Sequence, residues 1–240
     1  MATLASRRGF PLLMAPAALW VTHGAPLVTA NARLRRRWFP GLSGTGPVSQ
    51  VALTFDDGPD PSSTPLFLDA LAARGWKATF FVLGDMVRAA PQLTHRIIDE
   101  GHEIALHGNR HRSHVLRTPW AVRADIRESH SLVTGITHQP IRWFRPPYGS
   151  ISTASLVTAR SLGMRTVLWS AWGRDWRAEA TPESVVADLT GDLAGGGTIL
   201  LHDSDCTSAP GAWRSALGAL DLLAEHIGSM PVVALRDHLT

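Results

Sequence analysis

The chain has 240 residues, 45% of them hydrophobic and 18% charged, which describes a folded domain with a sizeable core and excludes a disordered protein. Its one cysteine, Cys206, excludes an internal disulfide framework and a cysteine zinc cluster. The net charge of +3 is unevenly placed: six arginines and no acid precede Asp56, leaving seventeen basic against twenty acidic residues from Asp56 onward. The folded part therefore lacks the basic face that nucleic-acid binding needs.

Residues 1–47 read as an apolar and arginine-rich leader. Residues 10–30 are uncharged and follow Arg7-Arg8, and Ser6-Arg7-Arg8-Gly9-Phe10 resembles a twin-arginine export signal. Val28-Thr29-Ala30 or Ala30-Asn31-Ala32 would serve a signal peptidase. A run of about 20 residues would also span a bilayer, against which stand Pro11, Pro16, Pro26 and His23. The expectation is an exported or envelope-associated protein, with membrane association through this segment. The alternative is a cytoplasmic protein whose apolar arm packs on the body, with residues 33–37 as a solvated helix end.

From residue 48 to residue 240 strand-like runs alternate with helical patterns. Strands are expected near 50–55, 78–83, 103–106, 141–144, 165–170, 198–201 and 231–235. Helices are expected near 63–74, 86–100, 119–136, 152–162, 182–193 and 211–227. Thr181-Pro182-Glu183 supplies a cap, a first-turn proline and a first-turn acid, and Gly75, Gly101 and Gly163 fall where helices should stop. Such alternation with short connections implies an α/β fold with a parallel sheet, and seven units point to a barrel more than to an open sheet.

In such a barrel the chemistry belongs at the C-terminal ends of the strands. The groups there are Asp56-Asp57, Gly84-Asp85, His107, Arg145, Asp175 and His202-Asp203, nearly all titratable or cationic. His107 and His111 stand four apart, so a helical turn would put both on one face. Eleven histidines make such a pair common by chance, but an aspartate from another strand end would supply a third hard ligand. Two histidines and a carboxylate leave positions open for water and substrate, as catalytic divalent sites do. The bland readings are Asp57 as a helix cap, the two histidines as surface residues and Arg145 as a structural ion-pair partner. The other histidines are expected to be solvated or capping, and Trp143, Trp169 and Trp213 to be core, with Trp172 the one tryptophan to watch at a sugar site.

Five segments together resemble the polysaccharide deacetylases with a NodB-homology domain, carbohydrate esterase family 4. They are Thr54-Phe55-Asp56-Asp57-Gly58-Pro59, the His107/His111 pair, Arg145-Pro146-Pro147-Tyr148-Gly149, Trp172-Gly173-Arg174-Asp175-Trp176 and Leu200-Leu201-His202-Asp203. The resemblance implies a distorted (β/α)7-type barrel over residues 48–240 that removes N-acetyl groups from N-acetylglucosamine units of a cell-wall glycan or chitin-type oligosaccharide, as a monomer. It implies one divalent metal held by Asp57, His107 and His111, zinc first, with cobalt, manganese or nickel as alternatives. Asp56 would be the general base, oriented by Arg145, and His202 the general acid, with Asp175 raising its pKa. The backbone N–H of Tyr148 would serve the oxyanion, and Leu200 and Trp176 would wall the acetyl pocket. Two positions depart from the family pattern. Gly108 replaces a serine or threonine, so a hydrogen bond behind the metal histidines is absent or supplied by Asn109. Trp172 replaces an aspartate, which puts substrate contacts in question. The competing readings keep the site but take an O-acetyl ester or a small amide or imide as substrate, or make the barrel a non-catalytic glycan binder.

Overall fold

The computed structural model describes residues 20–193 and 196–239; the Arg7-Arg8 motif and the first half of the uncharged run lie outside them. The chain passes through a 3-10 turn, Ala25–Ala30, into α1 (Ala32–Trp38). The Asn31 side chain caps α1 by accepting from the Arg33 and Leu34 N–H groups. There follow β1 (Val51–Asp56), α2 (Thr64–Arg74), β2 (Ala78–Val82), α3 (Gly84–Ala89), α4 (Pro91–Asp99), β3 (Glu103–Leu106), α5 (Pro119–Thr137) and β4 (Trp143–Phe144). The second half comprises α6 (Thr153–Ser161), β5 (Arg165–Thr166), β6 (Ala171–Trp172), α7 (Pro182–Asp192), β7 (Thr198–His202), α8 (Trp213–Ile227), β8 (Val232–Val233) and α9 (Leu235–His238).

Every strand pair is parallel, in the order β5-β4-β3-β2-β1-β7-β6, with β8 beside the start of β1. The two edge strands, β5 and β6, are consecutive in the chain. Five peptide steps reach at most about 17 Å, whereas the edges of a flat seven-strand sheet would lie about 29 Å apart. The sheet must therefore curl until its edges nearly meet, which gives the distorted barrel. Two expected elements are split. Of the strand expected at 165–170 only β5 is strand, residues 167–170 being a crossing link to β6 at Ala171, and the helix expected at 86–100 breaks before Pro91, which has no N–H to continue α3 and instead opens α4.

Side-chain alternation in β1 sets up the site. Val51, Leu53 and Phe55 point to the outer core, against Phe67, Leu68 and Leu71 of α2 and Leu220 of α8. Ala52 belongs to the inner cluster with Phe81, Ala105, Trp143, Val167 and Leu235. With a period of two, Thr54 and Asp56 share the inner face of Ala52, so the strand delivers Asp56 to the interior at its C-terminal end. The expectation that residues 33–37 form a solvated helix end is corrected at Arg35, which is only 4% exposed. Its guanidinium finds backbone carbonyl acceptors at Thr29 and Trp169, which is what permits burial of the charge. Residues 42 and 44 also join the body, through Leu168 N–H to the Leu42 carbonyl (2.8 Å) and Thr198 Oγ1 to the Gly44 carbonyl (2.6 Å).

Candidate active site

At the end of β1 the two adjacent carboxylates part company. Asp56 is the last strand residue, whereas Asp57 takes φ = 80°, a left-handed conformation that costs a non-glycine residue about 1 kcal/mol or more. The turn is completed at Gly58, where a Cβ would stand 2.3 Å from Asp203 Oδ2, so only glycine fits. The strain breaks the strand alternation, so Asp57 does not follow its period. Asp57 Oδ1 comes to 3.5 Å from His107 Nε2 and 3.6 Å from His111 Nε2. Its Oδ2 accepts from the Thr207 hydroxyl at 2.5 Å.

The histidine loop leaves β3. His107 Nδ1 lies 2.8 Å from the Arg145 carbonyl; a carbonyl can only accept, so Nδ1 carries the proton and Nε2 is left with its lone pair towards Asp57. Burial lowers His107 well below the usual histidine range and lowers His111 as well, which keeps both imidazoles neutral, the form that binds metals. The loop is pinned by Gly84 N–H to the Gly108 carbonyl, Asp85 N–H to the Asn109 carbonyl and Asn109 N–H to Asp125 Oδ2. Gly108 has φ = 101°, and a Cβ there would sit 3.2 Å from Asp125 Oδ2. Asn109 spends its side-chain N–H2 on Glu128, and the buried His111 Nδ1 has no hydrogen-bond partner among the described residues.

Asp57, His107 and His111 offer ligand atoms that all lie within 4.8 Å of one another. Asp57 Oδ1 is buried with no hydrogen-bond partner among the described residues while facing two imidazole nitrogens. An orphaned carboxylate oxygen and two neutral imidazoles are a donor set that fits a divalent cation.

Beside this centre Arg145, fully buried, donates from Nη1 to Asp56 Oδ1 at 2.6 Å and to Thr54 Oγ1 at 3.0 Å. Burial raises Asp56 above the ordinary carboxylate range, and the Arg145 cation limits the rise. Across the cavity, His202 gives its backbone N–H to Asp175 Oδ2 (2.8 Å) and its Nδ1 to Asp175 Oδ1 (3.0 Å). Burial alone would lower His202, but the Asp175 carboxylate, helped by Asp57 and Asp56, outweighs it and raises the imidazole to about 10. One side of a single pocket thus carries a base and the other a charged acid.

The cavity holds about 320 Å³. Leu200 and Trp176 line it as expected, with Tyr148 at its mouth, edge-on to His111 at 4.2 Å. The ten residues to which the resemblance gives roles are thus brought to one place, whereas Asp85, also past a strand end, pairs with Arg88 and Arg110 instead. Reading Trp169 as core is corrected: with Trp172 and Trp176 it forms an aromatic wall, centroids 5.5 and 6.3 Å apart in succession. Thr207 was not foreseen. It lies five residues past His202 in an irregular loop, and nothing in its neighbourhood marks it.

Fold and site together define a curled parallel α/β barrel with a carboxylate–histidine centre and an acid–base pair at its strand ends. A family model described as polysaccharide deacetylase matches residues 43–167, and the chain belongs to that family. It is 39% identical over 155 residues to a peptidoglycan-N-acetylglucosamine deacetylase of Bacillus cereus, covering 64% of this chain and 72% of the relative. It is 35% identical over 185 residues to a chitooligosaccharide deacetylase of Bradyrhizobium, covering 77% and 81%. Among solved structures, a peptidoglycan N-acetylglucosamine deacetylase in complex with an N-oxidanyl-benzamide superposes with a TM-score of 0.76 at 28% identity, over 84% of this chain and 94% of that one.

Proposed function

We propose that the protein hydrolyses N-acetyl groups on N-acetylglucosamine units of a cell-wall glycan or chitin-type oligosaccharide, releasing acetate and a free amine. The observation that carries the reading is the pairing, across one aromatic-walled pocket, of a buried arginine-held carboxylate with an imidazole kept protonated by a second carboxylate. The named activities of the relatives support the same substrate class.

Asp57, His107 and His111 would hold the divalent ion, zinc or another cation suited to two imidazoles and a carboxylate. When bound, it supplies Lewis acidity that polarises the acetamide carbonyl and acidifies a water. Asp56 Oδ1 is committed to Arg145, so Oδ2 takes the proton from the attacking water. The water oxygen bonds to the carbonyl carbon, and the Tyr148 backbone N–H donates to the oxygen as it becomes anionic. His202 then gives its Nε2 proton to the amide nitrogen as the C–N bond breaks, and Asp175 stabilises the imidazolium until that moment. Leu200 and Trp176 confine the acetyl methyl.

The test is acetate release from N-acetylglucosamine oligomers and peptidoglycan after supply of zinc, cobalt, manganese or nickel. Release from acetylated xylan alone would move the substrate to O-acetyl esters. No release from any of these, with tight oligomer binding, would make the barrel a glycan binder. We further propose envelope location, supported by the uncharged run behind Arg7-Arg8. Among the described residues no helix is long and apolar enough to cross a membrane.

A further inference from the structure

The link between the two sheet edges, residues 167–170, lines the pocket through Trp169. Its N–H groups at 167, 168 and 170 go to the carbonyls of Phe144, Leu42 and Thr198. Buried carbonyls need donors as much as N–H groups need acceptors, and here they are taken in order by three arginines. Arg145 donates from Nε to the Val167 carbonyl (3.4 Å) and from Nη2 to the Leu168 carbonyl (2.7 Å). Arg35 Nη2 donates to the Trp169 carbonyl (3.0 Å), and Arg36 Nη2 to the Ser170 carbonyl (2.7 Å).

Arg145 reaches the link from inside the barrel, with its other hand on Asp56. Arg35 and Arg36 reach it from α1, which lies before the stretch matched by the family model. Arg35 is anchored by a second donation, Nη1 to the Thr29 carbonyl at 2.8 Å, and its guanidinium lies 5.9 Å from the Trp169 ring centroid. It has no acidic partner among the described residues, and burial with the nearby Arg36 and Arg145 cations lowers it to about 10. Three cations are thus gathered on four consecutive carbonyls. A surface helix that merely packed on the barrel would not need that arrangement.

We propose that Arg35, assisted by Arg36, is a positioning residue of the active site. α1 is a strut that fixes the 167–170 link from outside, and with it the Trp169 wall of the acyl pocket and the carbonyls that aim Arg145 at Asp56. The catalytic unit then includes the chain from Thr29 onward and does not begin at residue 48. Only the consequence for acyl selectivity rests on the deacetylase reading; the strut itself does not.

Two measurements on the full chain test this. In hydrogen–deuterium exchange, Arg35→Ala should speed exchange within residues 165–172 on the order of tenfold or more, the effect of uncoupling a buried hydrogen-bonded segment. Arg35→Lys, which keeps the charge but cannot bridge two carbonyls, should restore part of the protection, and Arg33→Ala on the exposed side of α1 should match wild type. In parallel, the ratio of kcat/KM for N-acetyl against N-propionyl oligomers should fall severalfold in Arg35→Ala as the wall loosens. If Arg35→Ala does not fold, the less buried Arg36→Ala should show both shifts in the same direction with smaller size. Unchanged exchange in 165–172 overturns the proposal. So does exchange that rises equally over the whole barrel with an unchanged acyl ratio, since Arg35 would then only stabilise the fold. A wild-type protein that releases neither acyl group would sink the deacetylase reading, while the exchange data would still decide the strut.

Discussion

Replacing Asp175 with asparagine removes one charge from the His202 pair and leaves its shape almost intact. The carboxylate takes both the backbone N–H and the ring Nδ1–H of His202, one on each oxygen. An asparagine has one oxygen for those two donors, so one of them would face an N–H2 group. In the native protein the imidazole rises from 6.5 to about 10, a preference for the protonated form of roughly 5 kcal/mol. Without the carboxylate the largest influence opposing burial is gone; Asp57 and Asp56 still favour the charged ring, but the balance moves towards the neutral one. The alkaline limb of kcat/KM should therefore lie at lower pH in Asp175→Asn than in the wild type. Activity should be lost above neutral pH before it is lost below.

The same pair has a stability signature whose sign is fixed. A group whose folded pKa exceeds its unfolded value adds stability that is complete below about pH 6.5 and disappears as pH rises through about 10. The stability difference between wild type and Asp175→Asn should thus be largest at pH 6.5 and shrink towards pH 10, read as denaturation midpoints across that range. An alkaline limb that stays in place in the variant, with a stability gap independent of pH, would refute the assignment of His202 as an acid held charged by Asp175.

The adjacent carboxylates should separate by assay: Asp57→Ala loses metal, whereas Asp56→Asn keeps metal and loses turnover by about 10²–10⁴-fold. Metal analysis beside acetate release checks this, and identical behaviour of the two variants would abolish the division of labour. Thr207→Val frees Asp57 Oδ2 to swing and should weaken metal binding about 10–100-fold by titration calorimetry, with the thermal midpoint nearly unchanged. His102 is buried, accepts the Ala78 N–H on Nδ1 and is lowered by burial to about 4. Because the unfolded chain binds that proton more readily, folding should lose up to about 3 kcal/mol between pH 6.5 and 4. His102→Gln, which can still accept the N–H, should flatten that slope in acid denaturation.

The strands that build the front of the site were legible because parallel strands buried on both faces read as nearly continuous apolar runs, as residues 51–55, 78–82 and 198–201 do. Their ends were legible because barrel topology collects them, so charged residues just past each run had to converge. Less could be read where a residue's environment is made by distant chain. His102, His114 and His238 were expected to be solvated or capping and are buried. Trp169 has the composition of a core residue and the position of a pocket wall. The carbonyl bonds of Arg35 and Arg36 leave no trace in sequence, since a guanidinium that binds backbone needs no partner of any particular type. The split of residues 165–170 is invisible for the same reason: the apolar run continues through a link whose carbonyls are held by arginines and not by a strand.

The doublet Asp56-Asp57 shows how backbone geometry makes two identical residues unlike. The alternation of β1 carries Asp56 to the inner face with Thr54, where Arg145 binds both. A further residue in extended conformation would point outward, into the apolar layer beneath α2, where a carboxylate could not be satisfied. The left-handed φ of Asp57 avoids that outcome, and Gly58 against Asp203 gives the turn room. The result is that one carboxylate is committed to a cation on its own strand face, while the other offers a bare oxygen to two imidazoles. Arg145 offsets the repulsion between neighbouring anions on one side, and a cation bound at the orphaned Asp57 Oδ1 would offset it on the other. The strained residue, not the pair of charges as such, is what places the two carboxylates in different environments.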